Sequence, residues 1–534
     1  MTSQRVVPSD REAAELQRAE GQTVDLIRQA QESDEADRKL TIREAVKKYK
    51  KAVFWVMFLS TSLIMKDYFF LLSRTQFKER FGVYDPVSDQ KLIPAAWQSG
   101  LSNSALVGQL VGLVVNAICQ DRFGCRPTMM FFMLWMAVAI FVPVFAQSLS
   151  VLAFGKAFCG ISWGVFQVSL SSQVRLLPYV TAYVCMCWGG GILLSSGVVR
   201  AVAGLEGDMG WRLPFILQWI WPLPLFIGAY FAPEHPCNSV RRDKIEEARN
   251  NLLRLYQDVP EREQRVEQTL AYINYTTEME KAETSNASFL ECFKSTSLRR
   301  TEIVTSYGLR KSSAANAILG YSVVFLQAAG FTELQAFNIN ISLSACYIVG
   351  GIICWFLFPH VGGATTYMIG LTVMFFCLIT IGGLAWRSGR DAQLAIGIIL
   401  VISTLCNMTA IGPTCYPIVA EPPPGKLRYK TITIGRFVYN FTNIFTNSVT
   451  PRMLSSTSRN WGAKAAFFHA GTNLLCNIWC WFRLPETKDR TFGEIDLLFT
   501  HRVPARKLKS THIGQFAYGG DYMAKQEVDH MENA

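Results

Sequence analysis

Apolar residues in this chain gather into long runs, and polar residues into three blocks. Runs near 52–72, 96–118, 128–147, 151–173, 177–201 and 211–231 precede a charged stretch from about Pro233 to Arg300. Six more follow near 302–326, 335–358, 366–386, 392–418, 430–453 and 462–483. A helix needs roughly 20 such residues to cross about 30 Å of hydrocarbon, and every span must satisfy its own backbone hydrogen bonds there. The pattern predicts an all-α polytopic membrane protein with 12 transmembrane helices in two six-helix bundles. Residues 1–51 form an N-terminal tail, 52–231 the first bundle, 232–301 a central helical linker, 302–483 the second bundle and 484–534 a C-terminal tail.

The polar blocks set the orientation. Lys47, Lys48, Lys50 and Lys51 crowd the entry to the first run, and positive charge flanking a span stays on the cytoplasmic side. Both tails and the linker are therefore expected in the cytoplasm. Thr41 and Glu44 have capping-box spacing ahead of this run. No apolar segment lies near Met1, so no cleaved signal peptide is expected.

Composition agrees. With 50% hydrophobic and 17% charged residues and a mean hydropathy of +0.19, there is too little polar surface to coat a soluble particle. The net charge of +11 sits beside apolar runs, which fits membrane-flanking charge and not nucleic acid. Of 14 cysteines most lie inside apolar runs and read as free thiols. Cys185 with Cys187, and Cys476 with Cys480, lack nearby His or carboxylate partners, so no metal is expected. Six scattered histidines argue against an enzyme, and neither a pore loop nor a ring-forming repeat supports a channel. Two bundles with a site between them, opened to either face in turn, describe a duplicated transporter.

Several motifs narrow this. Asp121-Arg122-Phe123-Gly124-Cys125-Arg126 makes a tight charged turn after the second run. It suits either a contact between helix ends that makes and breaks with a gate, or a plain positive-inside turn. With Trp211-Arg212, Pro233-Glu234-His235-Pro236, Gly412-Pro413-Thr414-Cys415-Tyr416, Glu421 followed by Leu427-Arg428, and Pro485-Glu486-Thr487-Lys488-Asp489-Arg490-Thr491, the chain resembles the sugar porter family of the major facilitator superfamily. Within it, fungal hexose and α-glucoside permeases are most similar.

The resemblance implies the major facilitator fold in the plasma membrane, and a monomer moving a small solute by alternating access, with a proton as coupling ion and no cofactor. It assigns gating to Asp121, Arg122, Gly124, Arg126, Glu234, Glu421, Arg428 and Glu486, through ion pairs between helix ends and the linker. It assigns solute contact to Asn316, Tyr321, Tyr416, Asn440 and Asn443. Asn440 and Asn443, three residues apart, share a helix face. Tyr416 is either a ring that stacks on sugar or a packing residue.

The sequence also departs from the family. Arg310-Lys311-Ser312-Ser313-Ala314-Ala315 precedes Asn316 where relatives carry glutamines, and Ile192 stands where the fifth span carries another. Each missing amide removes a hydrogen bond of about 0.5–1.5 kcal/mol to a hydroxyl. Phe69 replaces the usual protonation site, leaving Asp67 either as the proton-coupling candidate or as a helix-end partner of Lys66. Ser171-Ser172-Gln173 lacks the family's Glu, and Pro359-His360-Val361-Gly362-Gly363-Ala364 lacks the Arg pair of the second-half turn, so that turn is expected to have lost its charge. The losses suit either a cargo that is less hydroxylated or anionic, with Arg310 and Lys311 facing the cavity, or a non-transporting paralogue or sensor; the cost of midplane charge suits Arg310 and Lys311 equally to the extramembrane end of a shifted helix. An exporter of a specialised metabolite is one form of the first. The sequons at Asn274, Asn286, Asn407 and Asn440 fall in the linker or in spans, where glycosylation is not expected. Arg502, Arg506, Lys507 and Lys509 suit either contact with anionic lipid or a disordered tail.

Overall fold

The computed structural model describes residue 44 and residues 50–61, 75–85, 90–166, 177–202, 207–256, 262–284, 289–312, 322–328, 330–358, 360–387, 389–423, 427–454, 461–488, 490 and 492–511. Among the described residues, seven helices are long and apolar enough to cross a membrane. The first half comprises α1 (Lys50–Ser60), α2 (Ala95–Phe123), α3 (Cys125–Ala139), α4 (Leu149–Phe166), α5 (Leu177–Ala201), and a sixth span of α6 (Met209–Leu217) and α7 (Pro222–Phe231) joined by a 3-10 turn. A short hairpin, β1 (Val83–Asp85) against β2 (Gln90–Leu92), leads into α2.

Backbones approach most closely between α2 and α4. A Cβ at Gly108 or Gly112 would lie 2.0 or 2.1 Å from the Ala157 or Ile161 carbonyl oxygen. One at Gly160 or Gly164 would lie 2.4 or 2.5 Å from that of Ala105 or Gln109. Glycines four apart on both helices thus let two spans touch along their backbones, which replaces the hydrophobic drive that lipid does not supply.

The linker contains α8 (Pro236–Arg241), α9 (Ile245–Leu255) and α10 (Arg262–Thr284). They fold on a small core of their own, made of Val240, Ala248, Leu252, Tyr256, Val266 and Leu270. Arg249 to Glu267 at 2.6 Å and Tyr256 to Thr269 at 2.7 Å tie α9 to α10, and Arg254 donates to the Phe231 carbonyl at the end of α7 at 2.8 Å.

The second half contains α11 (Ser295–Ser312), α12 (Ser322–Ala328), α13 (Glu333–Leu357), α14 (Gly363–Leu384), α15 (Arg390–Cys406), α16 (Gly412–Ala420), α17 (Arg428–Leu454) and α18 (Ala465–Arg483). A capping box, Thr332 with Gln335, starts α13. The capping spacing at Thr41 lies outside the described residues. The tenth run is one path of α15, a π-turn over Asn407–Ile411, and α16, with Pro413 and Pro417 both inside α16. After α18, α19 (Phe492–Thr500) and a 3-10 turn at Ala505–Lys507 fold back onto the bundle, burying Leu498, Phe499 and Leu508. This segment of the tail is docked, and Arg506 lies 4.7 Å above the Trp481 ring.

The halves meet along α5 with α13, α2 with α17 and, less extensively, α5 with α16. The Asn103 amide donates to the Ser448 hydroxyl at 2.9 Å, and the Asn340 amide to the Ser196 hydroxyl at 2.7 Å. Ser322 at the start of α12 donates to the Asn340 side-chain Oδ1 at 2.6 Å. Ser448 and Ser196 each donate to a carbonyl of their own helix, Ile444 and Ile192, at 2.8 Å. Asn103 lies 21 residues before Gly124, about 30 Å along a helix, so this bond is at the end opposite the charged turn. Nearer that turn the Trp355 indole donates to the Tyr179 carbonyl at 3.0 Å, again from one half to the other.

Candidate functional site

Only Gly124 separates α2 from α3, at φ 100°, a left-handed conformation that glycine adopts without strain. The first amides of a helix have no partner within it. Here Glu234, from the segment after α7, supplies one: Cys125 N donates to Oε1 at 2.8 Å and Arg126 N to Oε2 at 3.0 Å. The negative charge also sits at the favourable end of the α3 dipole. Arg242 does the converse for α2, donating to the Phe123 carbonyl at 2.9 Å and that of Gln120 at 3.4 Å. A Cβ at position 124 would come within 3.2 Å of the Glu234 carboxylate and 3.3 Å of Arg242. The Arg126 guanidinium bonds the Tyr230 carbonyl and covers the Tyr230 ring, whereas Arg122 is exposed over Phe123. An open cavity of about 510 Å³ flanks the turn, bordered by Phe123, Arg126, Tyr230, Glu234 and Arg242. Asp121 occupies the last turn of α2; its side chain lies outside the described residues.

The second half repeats this arrangement. Glu486, after α18, accepts from Ala364 N at 3.4 Å, Thr365 N at 3.1 Å and the Thr365 hydroxyl at 3.0 Å. Glu486 is thus to α14 what Glu234 is to α3, with Thr365 where Arg126 stands. The turn itself carries neither an acid nor an arginine, with His360 and Val361 where Asp121 and Arg122 stand in the first half; the charge at this helix end is that of Glu486, 122 residues after Ala364. Glu421, at the end of α16, receives a hydrogen bond from Thr487, next to Glu486. Arg428 begins α17, with its side chain outside the described residues. Glu234, Glu486 and Arg126 bond mainly to backbone groups at helix ends, with the Asn238 amide and the Thr365 hydroxyl as side-chain donors to the two carboxylates, where the resemblance implied ion pairs.

Sequence reasoning passed over a second cluster on the same side. Arg300, 3% exposed, binds the Asp496 carboxylate and donates to the Asp496 carbonyl at 3.0 Å. Arg299 donates to the Val503 carbonyl at 2.7 Å, and both guanidiniums lie 5.1 Å from the Phe499 ring. Burial, and after it the nearby charge of Arg483, lowers the Arg299 pKa from its ordinary range. Glu302 accepts from Trp479 and Arg483, both at 3.1 Å. These bonds join the start of α11 to the end of α18 and to α19. In the sequence, Arg299 and Arg300 look like any basic pair flanking a span.

Between the halves, α17 carries Arg436, Asn440, Asn443 and Asn447 at helical spacing, while Phe437, Phe441 and Phe445 are exposed on another side. Asn440 is fully buried with both amide atoms lacking a hydrogen-bond partner, and Asn443 is buried with its carbonyl oxygen in the same state. Buried polar groups are normally satisfied, so these two are suited to a hydroxylated guest or water. Tyr416 on α16 is half-buried, its ring edge-on to Trp188 of α5 at 5.9 Å and covered by Arg436 at 5.4 Å. Ile192 packs against the core of the opposite half, so its apolar side chain serves the seam. Lys156, also passed over, is buried within α4, although a lone cation in an apolar run was visible in the sequence. Arg310 and Lys311 fall in the last turn of α11, with their side chains outside the described residues, and Asp67, Asn316 and Tyr321 lie outside them altogether.

A family model described as "Sugar (and other) transporter" matches residues 56–499. The General alpha-glucoside permease of Saccharomyces cerevisiae is 35% identical over 506 residues, covering 92% of this chain and 82% of that protein. Maltose permease MAL31 of the same species is 34% identical over 508 residues, with the same coverage. Among solved structures, the proton:xylose symporter XylE bound to 6-bromo-6-deoxy-D-glucose superposes with a TM-score of 0.70 at 16% identity, over 84% of this chain and 100% of that one. A partially occluded inward-open form of XylE from E. coli gives 0.66, over 82% and 99%.

Proposed function

From the premise that the chain belongs to the sugar transporter family of the major facilitator superfamily, a family of multi-pass membrane proteins, we propose that it carries a sugar of the α-glucoside or hexose class across the plasma membrane by alternating access. The observation that carries this reading is Asn440: a fully buried carboxamide with neither polar atom satisfied, on a helix at the seam between two half-molecules. A carboxamide pairs donor and acceptor with vicinal hydroxyls, and Asn443 and Tyr416 extend the surface. Asn316 and Tyr321 are assigned to the same site.

The transport reading places both termini and the linker in the cytoplasm. The turns capped by Glu234 and Glu486 then form the inner gate together with Asp121, Arg122, Gly124, Arg126, Glu421 and Arg428. Such contacts hold the helix ends within each half in one arrangement, and a change in that arrangement accompanies the rocking of the halves. Coupling to protons, with Asp67 as the carrier, accounts for an acidic residue inside the first span. The protein works as a monomer in the bilayer, and its action on the solute is movement, not chemistry.

The test is uptake of radiolabelled maltose and glucose by yeast lacking its own sugar transporters and producing this chain. Uptake above the empty control that collapses when a protonophore removes the proton gradient is expected. Equal uptake in producing and control cells, with the protein at the cell surface, would sink the reading.

A further inference from the structure

Three side chains from three helices form a column at the seam: Trp188 on α5, Tyr416 on α16 and Arg436 on α17. Trp188 packs with the core of the first half and Tyr416 with that of the second, so their edge-on contact is where the two cores meet through aromatic rings. Arg436 lies eight residues past Arg428, about 12 Å into the span, where a charge is costly enough to be kept only for a purpose. Its guanidinium lies over the Tyr416 ring face at 5.4 Å. One turn further along the same helix is Asn440 with its unsatisfied amide.

Span ten is irregular on both sides of Tyr416. The π-turn at Asn407–Ile411 and the prolines at 413 and 417 interrupt the hydrogen-bond ladder there. Backbone alone therefore holds the Tyr416 ring less firmly than a regular helix would, and a cation over one ring face supplies a second restraint, stronger in a desolvated site.

Resting on the sugar-transport reading, we infer that Arg436 is a positioning residue for the solute: it holds the Tyr416 ring edge-on to Trp188, fixing the aromatic wall beside Asn440 against which a sugar ring packs. Loosening that wall weakens solute binding and leaves the conformational cycle intact.

The test uses the full-length chain in transporter-null yeast, with [14C]maltose uptake measured over a concentration series and normalised to surface protein. Arg436→Gln is expected to raise KM about 3- to 30-fold, with Vmax per molecule within about twofold. Arg436→Lys, which keeps a cation over the ring, is expected to recover most of the loss. On a Tyr416→Leu background, Arg436→Gln is expected to add nothing, because the two act as one unit. A lowered Vmax at unchanged KM, no rescue by lysine, or additive effects in the double variant would each overturn the inference. A parent that carries maltose while Arg436→Gln matches it sinks this inference alone. A parent that carries no sugar sinks the transport reading and this inference with it.

Discussion

Glu234 and Glu486 hold equivalent positions in the two halves: each follows the last span of its half and places its carboxylate on the first amides of that half's third span, at 2.8 and 3.0 Å in one case and 3.4 and 3.1 Å in the other. The two halves thus carry the same helix cap. The first copy is braced further by Arg242 on the facing helix end.

Removing the caps has graded effects. Glu234→Ala leaves two amides without their carboxylate and is expected to cost about 1–2 kcal/mol, lowering the thermal midpoint of the detergent-purified protein and slowing uptake. Glu486→Ala, with longer contacts, is expected to cost less. Thermal denaturation of the two variants side by side checks the order, and a larger loss for Glu486→Ala would contradict it.

Asn440→Leu separates function from folding. Neither amide atom is satisfied in this structure, so replacing the side chain forfeits no internal hydrogen bond. Stability is expected to hold or rise, while the KM for sugar rises about tenfold, as for one or two lost hydroxyl contacts. Surface abundance and uptake kinetics measured together read both; a destabilised protein with unchanged KM would assign Asn440 to packing.

Arg300 depends on Asp496, but unequally. Asp496 is 47% exposed while Arg300 is 3% exposed, so water screens one partner and not the other. Asp496→Ala leaves a buried guanidinium with fewer acceptors and is expected to cost about 1–3 kcal/mol, between the values for an exposed and a fully buried pair. Limited proteolysis is the direct readout, with α19 released from the bundle sooner than in the parent.

Lys156→Met tests the buried cation of α4. The methionine fills similar volume without a charge to desolvate, so the protein is expected to accumulate normally while uptake falls at least about tenfold. Full uptake by this variant would make Lys156 a tolerated residue and nothing more.

The spans were legible because a bilayer demands long apolar runs whatever the helices pack against, and the π-turn at Asn407 is a small departure within one of them. Glu234 and Glu486 were legible as motifs, but their chemistry was not. Both act on backbone amides more than 100 residues away in sequence, and backbone partners leave no complementary side chain to read. Arg242 and Arg300 were hidden among many basic residues beside spans, where only tertiary contact separates a helix cap or a buried pair from flanking charge. Ile192 was read as a missing amide, and its use in the seam depends on which core it touches.

The serine hydroxyls at the seam are each pinned by a carbonyl of their own helix, so the acceptor they offer across it is nearly as rigid as backbone. A bond to such a peg breaks outright when the halves part and does not stretch to follow them. Two bonds of about 1 kcal/mol net each favour the joined arrangement by about thirtyfold, enough to set the resting state and small beside the free energy of binding a solute.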